Sequence, residues 1–377
     1  MRHVLDYCRA RQDWLLDTTT ALARIESPTT DKAAVDACGR ELARRLEALG
    51  GRVTRLPRDA AGDHLLAEFG CGREQVLILG HFDTVWPVGQ LERMPILVDG
   101  GRLHGPGVYD MKAGLAIGML AVQAALELDL ARARRVTMLL TSDEETGSHS
   151  SRQAIEEEGR RSRAVLVLEP ALPNGAVKTF RKGVGEFRLD VEGVAAHAGV
   201  DPGKGASAID ELARQIVALG ALRDEARGVS VNVGLVEGGT RSNVVAERAS
   251  AVIDLRLPTR ADADRVEAVL RALRPVDVRT RLMLSGAVNR YPFERTEAVA
   301  RLFALARSLA AEMGLDLAEA GTGGASDGNF TAALGVPTLD GLGAVGDGAH
   351  ALHEHVVLDL LPQRAALVAG LLGRIEG

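Results

Sequence analysis

Three short apolar runs in this sequence each end on side chains that bind cations, and that recurrence limits the possible folds more than any other feature. Gln75-Val76-Leu77-Ile78-Leu79 leads through Gly80 to His81 and Asp83. Arg135-Val136-Thr137-Met138-Leu139-Leu140-Thr141 leads into Ser142-Asp143-Glu144-Glu145-Thr146-Gly147, and Ala164-Val165-Leu166-Val167-Leu168 leads into Glu169-Pro170. Short apolar runs closed by turn residues read as buried strands. In an open α/β sheet, sites form at the carboxyl ends of such strands. His81 and Asp83 point to one side if the extended backbone continues past the strand. A neutral imidazole there is a metal ligand, and a carboxylate two residues on can orient it. The consecutive acids Asp143, Glu144 and Glu145 repel one another unless cations are present. A solvated acidic loop is the competing reading, but an apolar strand feeding straight into it argues against mere surface. The set reads as nitrogen and oxygen ligands without sulfur, which suits zinc or, less selectively, manganese or cobalt.

The chain of 377 residues is long enough for two domains. Its 46% hydrophobic and 25% charged residues give the balance of a globular protein. The net charge of −6 is mixed along the chain, so no basic block points to nucleic acid and no basic amphipathic stretch to a membrane surface. The apolar runs are far shorter than a bilayer span. Met1 to Arg9 lack the apolar core of a signal peptide, and the three widely spaced cysteines, Cys8, Cys38 and Cys71, read as free thiols. The expected location is the cytoplasm.

Helical spacing covers residues 1 to about 25 and 32 to 49, with Asp31 a cap for the second. Gly100-Gly101 reads as a hairpin turn. The Gly/Pro-rich run that follows sets Asp110 just before a helix over about Lys112–Leu128; there a carboxylate can serve as a metal ligand or only as a partner of the helix dipole. From about Arg181 to Arg290 the order changes to β-α-β-β-α-β, that of a ferredoxin-like split unit, with its last strand expected over Val276–Leu284. An edge strand in so small a sheet makes homodimerisation through this inserted domain the expectation. Gly321 to Gly328 reads as a mobile loop. His350, His353 and His355 are either a histidine-rich surface loop or contain a metal ligand, and the acids upstream favour the ligand.

These residues together resemble the dinuclear-zinc amidohydrolases that include aminoacylases, dipeptidases, succinyl-diaminopimelate desuccinylase and the folate-cleaving glutamate carboxypeptidases. The resemblance rests on Gly80-His81-Phe82-Asp83-Thr84-Val85, Gly105-Pro106-Gly107-Val108-Tyr109-Asp110-Met111-Lys112-Ala113-Gly114, Ser142-Asp143-Glu144-Glu145-Thr146-Gly147, Leu168-Glu169-Pro170, Ala195-Ala196-His197-Ala198-Gly199, and Gly348-Ala349-His350 with Glu354, all in order. It implies an α/β catalytic domain of zinc-peptidase type with a mixed central sheet, formed by residues 1–180 and 291–377. An inserted ferredoxin-like α+β lid and dimerisation domain would span 181–290. It also implies two divalent ions per subunit, with Asp110 bridging them, His81 and Glu169 completing one site, and Glu145 and His350 the other. Asp83 would steady His81. Glu144 would act as general base toward a metal-bridging water and then protonate the leaving nitrogen. His197 would reach across a dimer to stabilise the oxyanion. Asn243 and Arg256 would hold substrate, the arginine taking a free carboxylate. Arg290, in Arg-Tyr-Pro-Phe, resembles a further carboxylate contact, although the glutamate carboxypeptidases carry Arg-Pro there.

The expected activity is hydrolysis of an amide next to a C-terminal free carboxylate, as in the glutamate carboxypeptidases. The substrate would be a small peptide or an N-acyl amino acid. A glutamate-specific pocket needs a second cation, for which Lys178, Arg181, Lys182 and Arg290 are the candidates. The alternatives are an N-acyl-amino-acid deacylase or dipeptidase with the same metals, and a non-catalytic binder of such molecules. Glu144 argues against the last, because a binder needs no free base.

Overall fold

The computed structural model of the protein describes residues 1–131 and 134–375. The chain forms two compact units, Met1–Phe180 with Arg295–Gly321 and Ser326–Gly377, and Arg181–Glu294 with Thr322–Ala325.

The first unit is built on a six-stranded sheet. Its spatial order is Arg52–Leu56, His64–Phe69, Arg134–Thr141, Glu74–His81, Ser162–Val167, Thr338–Leu339. Glu74–His81 lies in the centre, parallel to both of its neighbours, while the two strands at the first edge are antiparallel, so the sheet is mixed. Parallel central strands are covered on both faces and therefore apolar throughout; every residue from Gln75 to His81 is buried. Helix Ala113–Glu127, apolar on almost every face, is the buried helix of this core and packs against Leu361–Arg374. It approaches the sheet closely because of Gly114, where an added Cβ would lie 2.2 Å from the Leu168 carbonyl oxygen. That approach brings the segment bearing Asp110 beside the strand end bearing Glu169.

A second, four-stranded sheet in this unit runs Gly346–Asp347, His355–Val357, Arg102–His104, Leu97–Asp99. The Gly100-Gly101 turn has φ of +54° and +76°, the pair of positive values that a two-residue hairpin needs.

The second unit holds an antiparallel sheet in the order Ser230–Gly238, Arg248–Leu257, Gly183–Glu192, Arg281–Arg290. Helices Ala208–Gly220 and Arg260–Arg271 cover one face and supply Leu212, Leu219, Val266 and Leu270 to its core. This is the ferredoxin-like arrangement. The last strand starts at Arg281 rather than Val276. The main-chain N–H groups of Val276 and Asp277 are bound by Glu211, and Arg279 folds back onto Asp277, so this stretch turns and leaves Val278 exposed.

Candidate active site

The ends of the parallel strands carry the site. His81 closes Glu74–His81 and is 2% exposed. Backbone pairing continues past it, the Phe82 N–H donating to the Thr141 carbonyl. The His81 Nδ1 lies 3.1 Å from the Asp83 carbonyl oxygen and must donate to it, because a carbonyl only accepts. Its Nε2 faces Asp110 Oδ1 at 3.2 Å and Glu169 Oε1 at 3.5 Å. The other Asp110 oxygen, Oδ2, is 3.4 Å from His350 Nε2, which is in turn 3.3 Å from Glu145 Oε2. His81, Asp110 and Glu169 thus form one potential ligand group, and Asp110, Glu145 and His350 another, with Asp110 common to both.

Two features fit these groups to divalent ions. Ligands about 2.1 Å from a tetrahedral zinc stand about 3.4 Å from one another, and the four separations above run from 3.2 to 3.5 Å. In addition, Glu145 Oε1 is buried without a hydrogen-bond partner among the described residues, an atom that a cation would satisfy. Electrostatics agree with a centre that attracts positive charge. Burial opposes protonation of His81, yet Asp110, Asp83 and Glu169 hold its pKa above the ordinary imidazole value. Hydrogen bonds to Asp110 and Glu145 raise His350 to about 10. Burial likewise opposes the charge on Asp110, but His350 and His81 keep it well below the usual carboxylate range. Glu145 is pushed up, chiefly by burial.

Glu144 belongs to neither group. It is 9% exposed, on the tight turn Glu144–Thr146. Asp83 fixes this turn: its Oδ1 accepts the Glu144 N–H at 3.3 Å and its Oδ2 the Glu145 N–H at 3.2 Å, with the Thr29 hydroxyl at 2.7 Å. The residue expected only to steady His81 therefore also sets the two glutamates. Glu354 does the same for Asp110. It accepts the N–H groups of Gly107, Tyr109 and Asp110 at 2.9, 2.9 and 3.1 Å and the Trp86 indole at 2.8 Å.

Residues that the sequence reading did not single out complete the surroundings of Glu144. His64 is fully buried, its Nδ1 2.9 Å from the Ser142 hydroxyl and its Nε2 3.1 Å from that of Ser150. Ser150 donates through both its N–H and its hydroxyl to Asp143, at 2.7 and 2.8 Å. Asp327 accepts from Thr141 at 3.0 Å and from the Ser148 hydroxyl. The sequence signal for His64 is a histidine directly before the apolar Leu65-Leu66-Ala67 of its strand. Asp327 lies in the stretch read as a mobile loop, which ends instead in buried, hydrogen-bonded side chains: Ser326 also donates to Asp340, at 2.6 Å, and Gly328–Ala333 is helical.

In the second unit, His197 and Asn243 are brought together by the backbone: the Ala198 N–H donates to the Asn243 carbonyl and His197 bridges to Val244. His197 is exposed, and its Nδ1 accepts the N–H groups of Gly199 and Val200, both at 3.1 Å. Arg256 pairs through two nitrogens with both oxygens of Asp254, each at 3.0 Å. Arg290 is buried, and Val184 lies opposite both Arg256 and Arg290 in register. Arg181 donates to the carbonyls of Gly324 and Ala325, and Lys182 to that of Gly228.

A mixed α/β sheet with an inserted ferredoxin-like unit and a carboxylate shared between two ligand groups defines a metallohydrolase. The chain belongs to peptidase family M20/M25/M40, whose model matches residues 77–374. Enzymes of this family are dinuclear metal hydrolases. The chain is 29% identical to carboxypeptidase G2 of Pseudomonas sp., over 96% of this chain and 89% of that protein. It is 30% identical to succinyl-diaminopimelate desuccinylase of Xanthomonas oryzae pv. oryzae, over 96% and 98%. Its fold matches the crystal structure of aminopeptidase PepT from Bacillus cereus with a TM-score of 0.77 at 22% identity, covering 97% and 98% of the two chains.

Proposed function

We propose that the protein is a glutamate carboxypeptidase-like enzyme that hydrolyses an amide bond next to a C-terminal free carboxylate. The observation that carries this reading is Glu144, buried on a turn pinned by Asp83 and outside both groups that share Asp110. His81, Asp110 and Glu169 would hold one divalent ion, and Asp110, Glu145 and His350 the other, with zinc the best match to the donor set. Bound there, the two ions would acidify a water and polarise the scissile carbonyl. Glu144 takes a proton from the attacking water and returns it to the leaving nitrogen.

The second unit supplies the candidates for holding substrate. Because His197 Nδ1 accepts two backbone N–H groups, the proton of the neutral ring sits on Nε2, which makes that atom a donor suited to an oxyanion. Asn243 and Arg256 are assigned to substrate, with Arg256 taking the carboxylate and Arg290 a further carboxylate contact. The edge strand Ser230–Gly238 pairs with one neighbour and exposes Leu235 and Val236, which supports a homodimer formed through this unit. Among the described residues no helix is long and apolar enough to cross a membrane, and a cytoplasmic location is part of the proposal.

The likeness to the desuccinylases supports a second reading, an N-acyl-amino-acid deacylase with the same centre. Hydrolysis of a panel by zinc-loaded protein, with and without chelator, separates the two. Chelator-sensitive release of glutamate from a benzoyl-glutamate alone supports the carboxypeptidase. Release from N-acetyl or N-succinyl amino acids with no action on the aroyl substrate moves the assignment to the deacylase.

A further inference from the structure

His104 and His355 lie directly opposite each other on the neighbouring strands Arg102–His104 and His355–Val357. The Gly105 N–H donates to the Glu354 carbonyl. A bond from the residue after one histidine to the residue before the other marks the non-hydrogen-bonded type of antiparallel pair, in which side chains stand closest. The two imidazoles are indeed side by side, ring centroids 5.2 Å apart and planes tilted by 33°. An imidazole binds zinc at about 2.0–2.1 Å through nitrogen, so two rings sharing one tetrahedral ion have centroids roughly 5 Å apart.

The proton arrangement is right for ligation. His355 Nδ1 lies 3.0 Å from the carbonyl oxygen of His353, which can only accept, so in the neutral ring Nδ1 carries the hydrogen and Nε2 the lone pair. A carbonyl that fixes the tautomer in this way is the usual outer partner of a ligating histidine. His104 is half-buried, and its pKa is lowered, first by burial and then by His355, which favours the neutral ring. Asp347 lies opposite His355 on the other side, which sets Asp347, His355 and His104 in one row on one face of the sheet. Asp347 is exposed and adds negative charge at the end of the row.

We propose that His104 and His355 form a third metal site, separate from the dinuclear centre, that takes a divalent transition ion of the zinc, nickel or copper type with water completing its shell. Imidazole pairs favour these metals over magnesium or calcium, with copper bound most tightly. An ion there ties the two strands together where the chain leaves for Gly107 and Asp110. It is adjacent to Glu354, whose carboxylate holds that segment.

The test uses the full chain without an affinity tag, first loaded with zinc in the dinuclear centre. Equilibrium dialysis against nickel with elemental analysis should show one further ion per chain while the zinc is retained. His104→Asn and His355→Asn should each weaken that binding by at least about tenfold, because either removes one arm of the chelate, and the double variant should lose little more. Nickel should also raise the melting temperature of the zinc-loaded wild type and not of the variants. If a substitution impairs folding, the wild type still decides. One equivalent of copper added to the zinc-loaded protein should give an electron paramagnetic resonance spectrum with coupling from two imidazole nitrogens. Absence of a third ion, or a third ion unaffected by both substitutions, overturns the proposal and leaves the two rings as a stacked pair.

Discussion

Asp83 holds Glu144 by its main chain: the carboxylate accepts the Glu144 N–H with one oxygen and the Glu145 N–H with the other. One fully buried side chain thereby joins the strand end that carries His81 to the turn that carries the proposed base and a proposed ligand. Asp83→Ala leaves the Glu144 and Glu145 N–H groups and the Thr29 hydroxyl without this partner and removes the charge 3.4 Å from His81 Nδ1, although the Asp83 main-chain carbonyl still accepts from that ring. Each buried group left unpaired costs about 1–3 kcal/mol, and loss of an outer partner lowers metal affinity roughly 10–100-fold. The expected result is loss of both kcat and metal affinity, read by steady-state kinetics and chelator competition on the same preparation.

Glu144→Gln should separate chemistry from metal binding. The side chain lies outside both ligand groups, so zinc content and melting temperature should hold. A proton carrier contributes roughly 10²–10⁴-fold, and kcat should fall by that factor. Turnover equal to wild type would exclude Glu144 as the base.

Glu354 presents both oxygens to four N–H donors around Asp110. Glu354→Gln keeps the shape but turns an amide N–H₂ toward groups that also donate. With two donors at each oxygen, a loss of about 2 kcal/mol or more follows, together with weaker metal binding because the Asp110 backbone is no longer held. Thermal unfolding and zinc titration measure the two effects.

Asp254 occupies the guanidinium fork of Arg256 that the proposed function gives to the substrate carboxylate. If the arginine changes partners on binding, Asp254→Asn removes a competitor and lowers KM severalfold at similar kcat. Arg256→Ala should raise KM much more than it lowers kcat. Unchanged KM in both variants would leave the pair a structural one. The pair is 37% exposed on each side, so solvent screening keeps its own contribution to stability small.

The strand ends were legible because the signal is local. An apolar run, then a histidine or acid, names His81, Glu145 and Glu169, and the double glycine names its hairpin. Of the shell behind them, Asp83 and Glu354 were named through the family resemblance, but what each shell residue binds was not legible, because the partners are distant in sequence. Ser148 meets Asp327 across 179 positions, and Glu354 meets Gly107 across 247. Nothing in the periodicity of either segment records such a pairing. The strand expected at Val276 failed for a related reason. Alternating apolar residues there fit a strand, but a glutamate on another helix, Glu211, captures the backbone N–H groups first.

The buried His64 makes a prediction about acid. Its pKa is lowered by burial, against the nearby carboxylates of Asp143 and Asp327 that favour its charge, and Arg58 lowers it further. In the unfolded chain the ring titrates near the ordinary value of about 6.5. Below that pH the unfolded state binds the proton and the folded state resists it. The folded state therefore loses stability as pH falls from about 6.5, until the folded pKa is passed and the loss levels off. Protonation also converts the ring's acceptor nitrogen into a donor, which disrupts the bridge from Ser142 to Ser150 beside Glu144. His64→Asn removes the titration. Zinc-loaded wild type should lose more stability than the variant between pH 6.5 and 5 in denaturant melts, although the variant starts lower because its shorter amide does not span both serines. Parallel pH dependences for the two proteins would show that His64 stays neutral in both states or is free to charge in the folded one.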